Sequence, residues 1–291
     1  MSRAEAPPAD GEGPIGIVAG GGRLPLEVAE AVEASGRRVI IAGIDGEADL
    51  VLDHPATRTF RWGQVGGAID FMAAKGVRDV VFVGAIARRP DFKAMRLDIG
   101  TLRRVPKIVK ALVGGDDSVV RKVLALIEAE GFRVKGIAEV APALLVSEGT
   151  LGRHRPTPED LEDAMLAMRA LATLGPFDVG QSAVVVRGRI VAIEAAEGTD
   201  RMLQRVKELR EMGRVGGRGG ILVKRAKPGQ DLRTELPTVG AATVAAAAGA
   251  KLGGIVLEAG RTIVADRPQT IADADAAGLF LHAVAGEEQV A

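Results

Sequence analysis

Residues 15–25 read IGIVAGGGRLP: five mostly apolar positions, then three glycines, then a proline three residues after the last glycine. The apolar run is typical of a buried strand, and Pro25 suits a first helical turn, where its missing N–H costs nothing. The same alternation continues, with strands predicted at 39–43 and 80–84 and helices at 25–34 and 68–75. Strands that alternate with helices predict a parallel sheet with helices on its faces.

The glycine run between the first strand and the first helix is a candidate anion site. Its backbone N–H groups can approach a phosphate or a nucleotide at the amino end of the helix. The run departs from the G-x-G-x-x-G pattern of dinucleotide sites, although Asp45 after the second strand could serve as a ribose-binding acid. A tight turn needed only for strand–helix packing is the alternative. The predicted substrate contacts here are Gly20, Gly21, Gly22, Leu24, Pro25 and Gly84.

Composition narrows the class of protein. The chain has 291 residues with 38 basic and 38 acidic side chains, so no overall charge draws it to nucleic acid or membranes. Aromatic residues make up 3% and cysteine is absent, which disfavours base-stacking partners and excludes disulfides and a cysteine nucleophile. No stretch reads as a membrane span, and residues 1–13 lack signal-peptide character. We expect a cytoplasmic protein that binds no nucleic acid.

A positively charged segment nevertheless runs from Lys75 to Lys110. It holds ten basic residues against three acidic ones, a net charge of +7. Residues 101–113 add apolar side chains at helical spacing. A basic amphipathic helix can lie on an anionic bilayer, whereas most such helices are solvated and pack their apolar stripe on a core. The pattern alone leaves both interpretations open.

A stretch rich in glycine, proline and charge divides the chain. The predicted organisation is a disordered tail over 1–13, an N-terminal domain over 14–146, a linker over 147–158 and a C-terminal domain over 159–291. Thr157 is expected to cap a helix that spans 158–174.

The C-terminal half is expected to be a mixed α/β domain. Apolar runs at 183–186 and 190–193 flank Arg187-Gly188-Arg189 and predict a hairpin. A second hairpin is predicted over 254–266, and a helix over about 270–285.

Acidic side chains follow the first of these hairpins. Glu194, Glu197 and Asp200 cluster where its second strand ends and a helix begins. Hard divalent cations prefer such carboxylates, with waters and substrate phosphate completing the shell. Thr199 and Asp200 can also cap the helix, whatever else they do. Glu258 is a further acid that could join this set.

The most informative stretch is 224–240, KRAKPGQDLRTELPTVG, which follows an apolar run at 221–223 that predicts a buried strand. Asp231 lies among the cations of this stretch and could hold a metal ion or a water. A phosphate-cleaving site here would use Mg²⁺ held by carboxylates to activate water, with cations neutralising the developing charge. A solvated loop is the alternative. The cations that could hold phosphate oxygens are Lys224, Arg225, Lys227 and Arg233.

These segments together resemble the UDP-2,3-diacylglucosamine pyrophosphatases of the I type in the lipid A pathway. The resemblance covers nearly all of the chain beyond the first dozen residues. It implies two α/β domains, the first with a Rossmann-like parallel sheet, and a substrate cleft between them. The segments that carry the resemblance are 15–46, 88–91, 115–117, 131–132, 194–200, 224–231 and 236–240.

The resemblance also implies a reaction. It is the Mg²⁺-dependent hydrolysis of UDP-2,3-diacylglucosamine to UMP and 2,3-diacylglucosamine 1-phosphate (lipid X), with an essential aspartate at Asp231. Because this substrate resides in a membrane, the +7 segment gains plausibility as a transient contact with the cytoplasmic face of the inner membrane. A homodimer is the base-rate expectation for the assembly.

The resulting site hypothesis has three parts. The catalytic residues are Asp231, Lys224, Lys227 and Asp200. The metal ligands are drawn from Asp231, Asp200, Glu194 and Glu197. Substrate contacts beyond the glycine run are Arg88, Gln181, Ser182, Thr199, Arg233 and Thr238.

Two rival functions stay open at this point. The opening strand–glycine–helix unit is compatible with an NAD(P)-dependent oxidoreductase. The same charges are compatible with a non-catalytic protein that binds a nucleotide sugar or a lipid.

Overall fold

The computed structural model shows two compact units, each built around its own sheet, which divide between Pro142 and Ala143. The predicted two-domain α/β fold is confirmed. Arg88 and most of the +7 segment lie outside the described residues. The residues that the structure describes are 13–86, 98–102, 124–125, 127–177, 179–227, 231–233 and 236–286.

A five-stranded sheet forms the centre of the first unit. Its strands are β1 (Ile15–Ala19), β2 (Val39–Ile44), β3 (Thr57–Phe60), β4 (Asp79–Val83) and β5 (Arg133–Val134). They lie in the order β3-β2-β1-β4-β5, and all pairs are parallel. Because β1 lies between β2 and β4, the chain changes its winding direction beside β1. Ligands of open parallel sheets bind at such a point, beyond the carboxyl ends of the strands.

Helices of the first unit pack their apolar sides on this sheet. They are α1 (Leu24–Ala34), α2 (Val65–Ala74) and the short α3 (Ile137–Val140). The first two agree with the predicted segments, although α2 begins three residues earlier than expected. Both stop at a glycine with positive φ, Gly36 at 85° and Gly76 at 77°. Only glycine adopts this conformation without strain, so these residues fix the helix ends.

The described residues of the second unit form eight strands. They are β6 (Gly149–Leu151), β7 (Ser182–Val186), β8 (Arg189–Ile193), β9 (Ile221–Lys224), β10 (Thr238–Val239), β11 (Gly254–Glu258), β12 (Ile263–Val264) and β13 (Phe280–Val284). Six of them form a mixed sheet in the order β6-β13-β11-β9-β7-β8, while β10 and β12 pair separately. Strands β9, β11 and β13 are parallel to one another, and the predicted β7–β8 hairpin is confirmed.

Helices cover both faces of the six-stranded sheet. They are α4 (Pro158–Leu174), α5 (Gly198–Glu211), α6 (Ala241–Gly249) and α7 (Arg267–Ala277). Thr157 caps α4 as predicted, because its hydroxyl accepts the Asp160 N–H at 3.2 Å. Alternate residues of β9 face opposite layers: Ile221 and Val223 pack with α4, whereas Leu222 packs with α5 and α6. Within the described ranges, no helix combines the length and apolar character needed to cross a membrane.

Three predictions for the second unit need correction. The hairpin over 254–266 is wrong, because β11 pairs in parallel with β9 and β13 while β12 pairs with β10. Strand β11 is buried along its whole length, and a strand covered on both faces belongs in the middle of a sheet. The predicted C-terminal helix stops at Ala277, and the chain then forms β13. The stretch 147–158, predicted as a linker, includes β6, an edge strand antiparallel to β13.

Candidate functional site

Polar side chains gather at one edge of the six-stranded sheet. Strand β9 ends at Lys224, β11 ends at Glu258, and Glu194 directly follows β8. Strand β7 runs the opposite way and therefore begins at this edge with Ser182, which lies opposite Lys224 in the pairing register. The carboxyl ends of strands are where open α/β sheets bind ligands. This edge is therefore the candidate site.

A buried hydrogen-bond network joins four of the side chains. The Lys224 Nζ donates to Thr199 Oγ1 at 3.2 Å, and the Thr199 hydroxyl donates to Glu194 Oε1 at 3.1 Å. Ser182 Oγ lies 3.2 Å from the same Thr199 oxygen. A hydroxyl has one proton and two lone pairs, so Thr199 can link an acid, a cation and a second hydroxyl at once. All four residues are buried, which makes the network rigid before any ligand arrives.

Lys224 carries the charge of this network in a poorly solvated place. Burial lowers the pKa of Lys224, and the nearby carboxylates of Glu194 and Asp200 raise it in part. A cation that has already lost most of its water interacts strongly with an incoming anion, because the local dielectric is low. Lys224 is therefore suited to neutralise phosphate charge, and its contact with substrate stays a prediction.

Gln181 directly precedes Ser182 of this network, and one polar atom of its side chain lacks a described partner. Its N–H donates to Glu194 Oε2 at 3.2 Å. Its side-chain Oε1 is buried and has no hydrogen-bond partner among the residues that the structure describes. An orphaned buried polar atom is rare in a folded protein and calls for an explanation. A donor on a substrate would supply one, and the predicted substrate contact of Gln181 stays a prediction.

The predicted acidic cluster is only partly assembled. Asp200 lies in the first turn of α5 and is exposed, close enough to Lys224 to influence its pKa. Glu197 instead accepts a hydrogen bond from Arg205 at 2.7 Å and forms an ion pair with it. Among the residues that the structure describes, no group of three or more acidic or histidine side chains is arranged to hold a metal ion. Within these described ranges the candidate carboxylates therefore do not form a closed metal cage, and which of them bind metal stays a prediction.

A magnesium ion does not need such a cage. It usually keeps several waters and binds one or two carboxylates together with substrate phosphates. Glu194 already accepts hydrogen bonds at both oxygens, whereas Asp200 is exposed at the edge of the network. Asp200 therefore fits a metal that arrives with phosphate oxygens better than Glu194 does.

Asp231 forms a two-pronged ion pair with Arg233. The Arg233 Nε lies 2.9 Å from Asp231 Oδ1, and the Nη2 lies 2.6 Å from Oδ2. The side-chain hydrogen bonds from Arg233 are the main cause that lowers the pKa of Asp231. Asp231 is therefore an ionised carboxylate at neutral pH, held in a fixed orientation.

Two other predicted residues lie near Asp231 in the chain. Lys227 is half-buried one residue after the fully buried Ala226. The Thr238 hydroxyl donates to the Leu236 carbonyl at 3.1 Å, so it serves the local turn at the start of β10. Their contacts with substrate stay predictions.

Arg225 contradicts its predicted role as a phosphate ligand. Its side chain is 3% exposed, donates to the Met168 carbonyl at 3.0 Å and lies 3.5 Å from Glu258 Oε1. Arg225 faces α4, whereas its neighbour Lys224 faces α5, because successive strand residues point to opposite faces. That alternation is the sequence signal that separates the two cations. Glu258 is likewise buried and pairs with Arg225 instead of joining the acidic set.

The glycine run of the first unit is not an anion cradle at its first two positions. The Gly20 N–H donates to the Val83 carbonyl at 2.8 Å, and the Gly21 N–H donates to the Ala85 carbonyl at 2.8 Å. A Cβ on Gly20 would lie 2.6 Å from the Ala85 oxygen, and one on Gly84 would lie 2.7 Å from the Gly21 oxygen. Close packing of two backbone segments explains these glycines. The tight-turn interpretation is therefore the correct one for Gly20 and Gly21.

The remaining residues of this region differ in how far they are buried. Gly22 has a φ of 87° and open space around it, while Pro25 is buried in the first turn of α1 and Leu24 is half-buried. The buried carboxylate of Glu47 lies beside Gly21, which disfavours an anion there. The predicted substrate contacts of Gly22, Leu24, Pro25 and Gly84 stay untested.

Asp45, the possible ribose-binding acid, lies elsewhere on the first unit. Its carboxylate is 3.5 Å from the Arg61 Nε. Both residues line an open, polar cavity of about 470 Å³ together with Thr59 and Gln64. The position after β2 is as predicted, but the tight turn at Gly20 leaves no pyrophosphate cradle at its first two N–H groups.

Comparison with known proteins was made for the whole chain. The LpxI N-terminal domain matches residues 14–144, and the LpxI C-terminal domain matches residues 147–282. A protein of Caulobacter vibrioides named UDP-2,3-diacylglucosamine pyrophosphatase LpxI is 41% identical over 277 residues. The aligned part covers 94% of this chain and 99% of that relative. The resemblance seen in the sequence motifs is thereby confirmed.

Proposed function

The chain belongs to the LpxI family, and we propose that it is an enzyme, a UDP-2,3-diacylglucosamine pyrophosphatase of lipid A synthesis. The similarity to a full-length relative of that name supports the substrate. The structural observation that carries the proposal is the buried network of Lys224, Thr199, Glu194 and Ser182 at the carboxyl edge of a sheet. It presents a desolvated cation where the fold accepts ligands, as cleavage of a diphosphate requires.

The reaction we propose is hydrolysis of the diphosphate to UMP and 2,3-diacylglucosamine 1-phosphate. Water supplies an oxygen to one phosphorus, and the bond from that phosphorus to the bridging oxygen breaks. The bridging oxygen leaves on the other phosphate, and the proton lost by the water goes to bulk solvent or to a base. Negative charge builds up on the bridging oxygen and on the phosphoryl oxygens as the bond breaks.

We assign a part in this reaction to three residues of the chain. The Lys224 ammonium neutralises charge on the phosphates, and its contact with Thr199 fixes its direction. The ionised Asp231 orients the attacking water or the metal. Gln181 offers its unpartnered Oε1 to a substrate donor. Fixed groups of this kind lower the barrier because they need no reorganisation during the reaction.

Mg²⁺ is the cofactor we propose. When bound, it would neutralise charge on the diphosphate and lower the pKa of a bound water. Asp200 and Asp231 are the carboxylates we assign to it, with substrate oxygens and waters as the other ligands. Glu197 is excluded from the set because it pairs with Arg205.

The setting we propose is the cytoplasmic face of the inner membrane, where a diacylated substrate would be met. The support is chemical, because an enzyme that acts on a lipid must reach it at the bilayer interface. The exposed Ile99 and Leu102 lie within the basic segment, in one of its described parts, and apolar side chains in a cationic segment suit an anionic surface.

The rival oxidoreductase has lost its main support. Its case depended on the glycine run, and the Gly20 and Gly21 N–H groups are used inside the protein. A non-catalytic binding protein remains the alternative that experiment must separate from an enzyme.

The experiment that tests the proposal is UMP release from UDP-2,3-diacylglucosamine in detergent, with Mg²⁺ and with excess chelator. We expect UMP and the acylated sugar phosphate in equal amounts, and only when metal is present. Folding is checked by circular dichroism. Stoichiometric binding without turnover by the folded protein would favour the binding-protein alternative, and metal-independent turnover would remove Mg²⁺ from the proposal.

A further inference from the structure

A buried ion pair lies directly behind the candidate site. Arg225 follows Lys224 in the chain, and Glu258 ends the neighbouring strand β11. Their side chains are 3% and 1% exposed, and the Arg225 Nη2 lies 3.5 Å from Glu258 Oε1. Neither side chain has enough exposure to bind a substrate. The reaction described above leaves both without a role.

Both residues hold the backbone that leaves β9. The Ala226 N–H donates to Glu258 Oε2 at 2.9 Å, which ties this segment to β11. The Arg225 side chain donates to the Met168 carbonyl on α4 at 3.0 Å, and its own N–H donates to the Gln181 carbonyl at 3.0 Å. The segment between Lys224 and Lys227 is therefore fixed from three sides.

Physical chemistry favours a positioning role over a stabilising one. Two buried charges lose their hydration, and replacing such a pair by apolar residues of similar size is often neutral or stabilising. Stability alone would be served equally well by apolar packing. A charged pair that also fixes a backbone N–H instead gives this segment one defined path, immediately after the cation of the site.

We infer that Arg225 and Glu258 are positioning residues of the diphosphate-cleaving site. They act through the backbone on Lys224, and they direct the chain toward Lys227 and Asp231. This inference rests on the proposed function and extends it to a layer of the protein that does not touch substrate.

The first variant to make is the double substitution Arg225→Met with Glu258→Met. It removes both buried charges together, so no buried charge is left unpaired; Arg261, which lies 3.8 Å from Glu258 Oε1, is half exposed and can be solvated. We expect kcat for UMP release to fall about 100-fold, the size of effect that a 1 Å misplacement of reacting groups produces. We expect KM to stay within threefold and the melting temperature to stay close to that of the wild type. If the pair had only a structural role, kcat would instead fall in proportion to the loss of stability.

A second double variant, Arg225→Met with Glu258→Gln, isolates the backbone contact. Its amide oxygen can still accept the Ala226 N–H, and it too leaves no buried charge. We expect it to recover a large part of the lost kcat. Equal activity of the two double variants would contradict the role of the Ala226 contact. If the first double variant fails to fold, this one still tests the inference, with a smaller but measurable loss of kcat.

A readout that needs no turnover separates this inference from the proposed function. Lys224 is buried and Lys251 is exposed, so limiting acetic anhydride should acetylate Lys251 and spare Lys224 in the wild type. In the Arg225→Met, Glu258→Met protein we expect Lys224 labelling, read by peptide mass spectrometry, to rise about tenfold with Lys251 unchanged. If the wild type released no UMP, the proposed function would be wrong. If Lys224 labelling in the Arg225→Met, Glu258→Met protein stayed at the wild-type value, the positioning role would be wrong.

The matched control is Asp79→Asn in the first unit. Asp79 is also a buried acid, and it accepts hydrogen bonds from Arg37 at 3.1 Å and from Arg133 at 2.7 Å. It lies at the start of β4, at the amino edge of its sheet. We expect this variant to lower the melting temperature while kcat and Lys224 labelling stay at wild-type values. If Asp79→Asn reduced kcat as strongly as the double variants, general destabilisation would explain both results.

Discussion

Two strands of this molecule end in sequences that suggest anion binding, and the structure uses them in different ways. Strand β1 leads into the glycine run, where the Gly20 N–H donates to the carbonyl of the last residue of β4 and the Gly21 N–H donates to a carbonyl just beyond it. Strand β9 leads into a cationic stretch, where Lys224 joins a buried network with Thr199. The first exit, the glycine run after β1, uses two of its N–H groups for internal packing, whereas the second exit, the stretch that begins at Lys224, places its cation in a side-chain network, where we propose that it meets a ligand.

The contrast has a physical origin. Glycines let two backbone segments approach until their N–H and carbonyl groups meet, and buried backbone groups must find partners. Once they have done so, few N–H groups remain for a ligand. Side chains at neighbouring strand ends behave differently, because they converge without using up the backbone. A glycine run therefore indicates close approach first, and ligand binding only when its N–H groups are free.

The largest effect is expected from Asp231→Asn in the second exit. The substitution keeps the shape but removes the charge that orients metal or water, so kcat should fall roughly 1,000-fold, as for loss of a fixed electrostatic group. The partly exposed pair with Arg233 contributes only about 0–1 kcal/mol to the free energy of unfolding. The measurement is UMP release, together with urea unfolding.

Asp45→Asn is the matched control for this prediction. Asp45 also pairs with an arginine, Arg61, but in the first unit. We expect its kcat to stay within twofold of the wild type. Near-normal turnover by Asp231→Asn would contradict the assignment of the second exit.

Next in size is the effect of Lys224→Met. Loss of the cation should reduce kcat about 100-fold, since charge on the phosphates would lack a fixed partner. The exposed Lys251→Met serves as control and should leave kcat unchanged. Comparable losses of kcat in both variants would show that Lys224 contributes no more to turnover than an exposed lysine does.

The pH dependence of kcat sharpens the same point. In the proposed reaction Lys224 acts in its protonated form, and burial lowers the pKa of Lys224. The cation is therefore lost as pH rises through a value below that of an ordinary lysine, and kcat should decline there. Arginine stays protonated, so Lys224→Arg should shift this alkaline decline upward even if its kcat is lower. An unchanged alkaline limb in Lys224→Arg would assign the titration to another group.

A moderate effect is expected from Thr199→Val, which keeps the volume but removes the hydroxyl between Lys224 and Glu194. Leaving buried polar groups without a partner should cost about 1–3 kcal/mol of unfolding free energy. We expect kcat to drop about tenfold, because the direction of the cation is less defined. Thr173→Val on the exposed side of α4 is the control. Equal stability of the two variants would show that the network is not tightly coupled.

The smallest effect on activity is expected in the first exit. Gly20→Ala forces a Cβ to within 2.6 Å of a carbonyl oxygen, and overpacking of this kind should cost about 1–3 kcal/mol of unfolding free energy. KM should stay within twofold, because the Gly20 N–H is not offered to substrate. Gly249→Ala, where the added Cβ meets open space, should leave stability nearly unchanged. A tenfold rise in KM for Gly20→Ala with unaltered stability would reverse the comparison.

The sequence predicts the alternating elements well and their pairing less well. Continuous apolar runs mark β1 and β9, and glycines such as Gly36 and Gly76 mark helix ends, because these signals are local. Pairing is a long-range property. Strands β11 and β12 are close in the chain, so a hairpin was the natural expectation, yet β11 needed two neighbours to cover its edges.

The candidate site shows the same limit. The order of residues places Lys224 and Glu194 at strand ends and Thr199 at the start of the next helix, and the structure brings these three side chains together. It does not reveal which of two adjacent cations faces the site, although the two-residue repeat of β9 would assign Arg225 to the opposite face. The sequence also does not show whether the N–H groups of the glycine run are free to bind a ligand, because this depends on the position of carbonyls that are distant in the chain.

The most direct test of the contrast between the two exits is an NMR titration of ¹⁵N-labelled protein with methylene diphosphonate and Mg²⁺. This probe mimics the diphosphate and cannot be hydrolysed. We predict chemical-shift changes centred on Ser182, Thr199 and Lys224. Changes confined to Gly20, Gly21 and Gly84, with the second exit unaffected, would contradict the account.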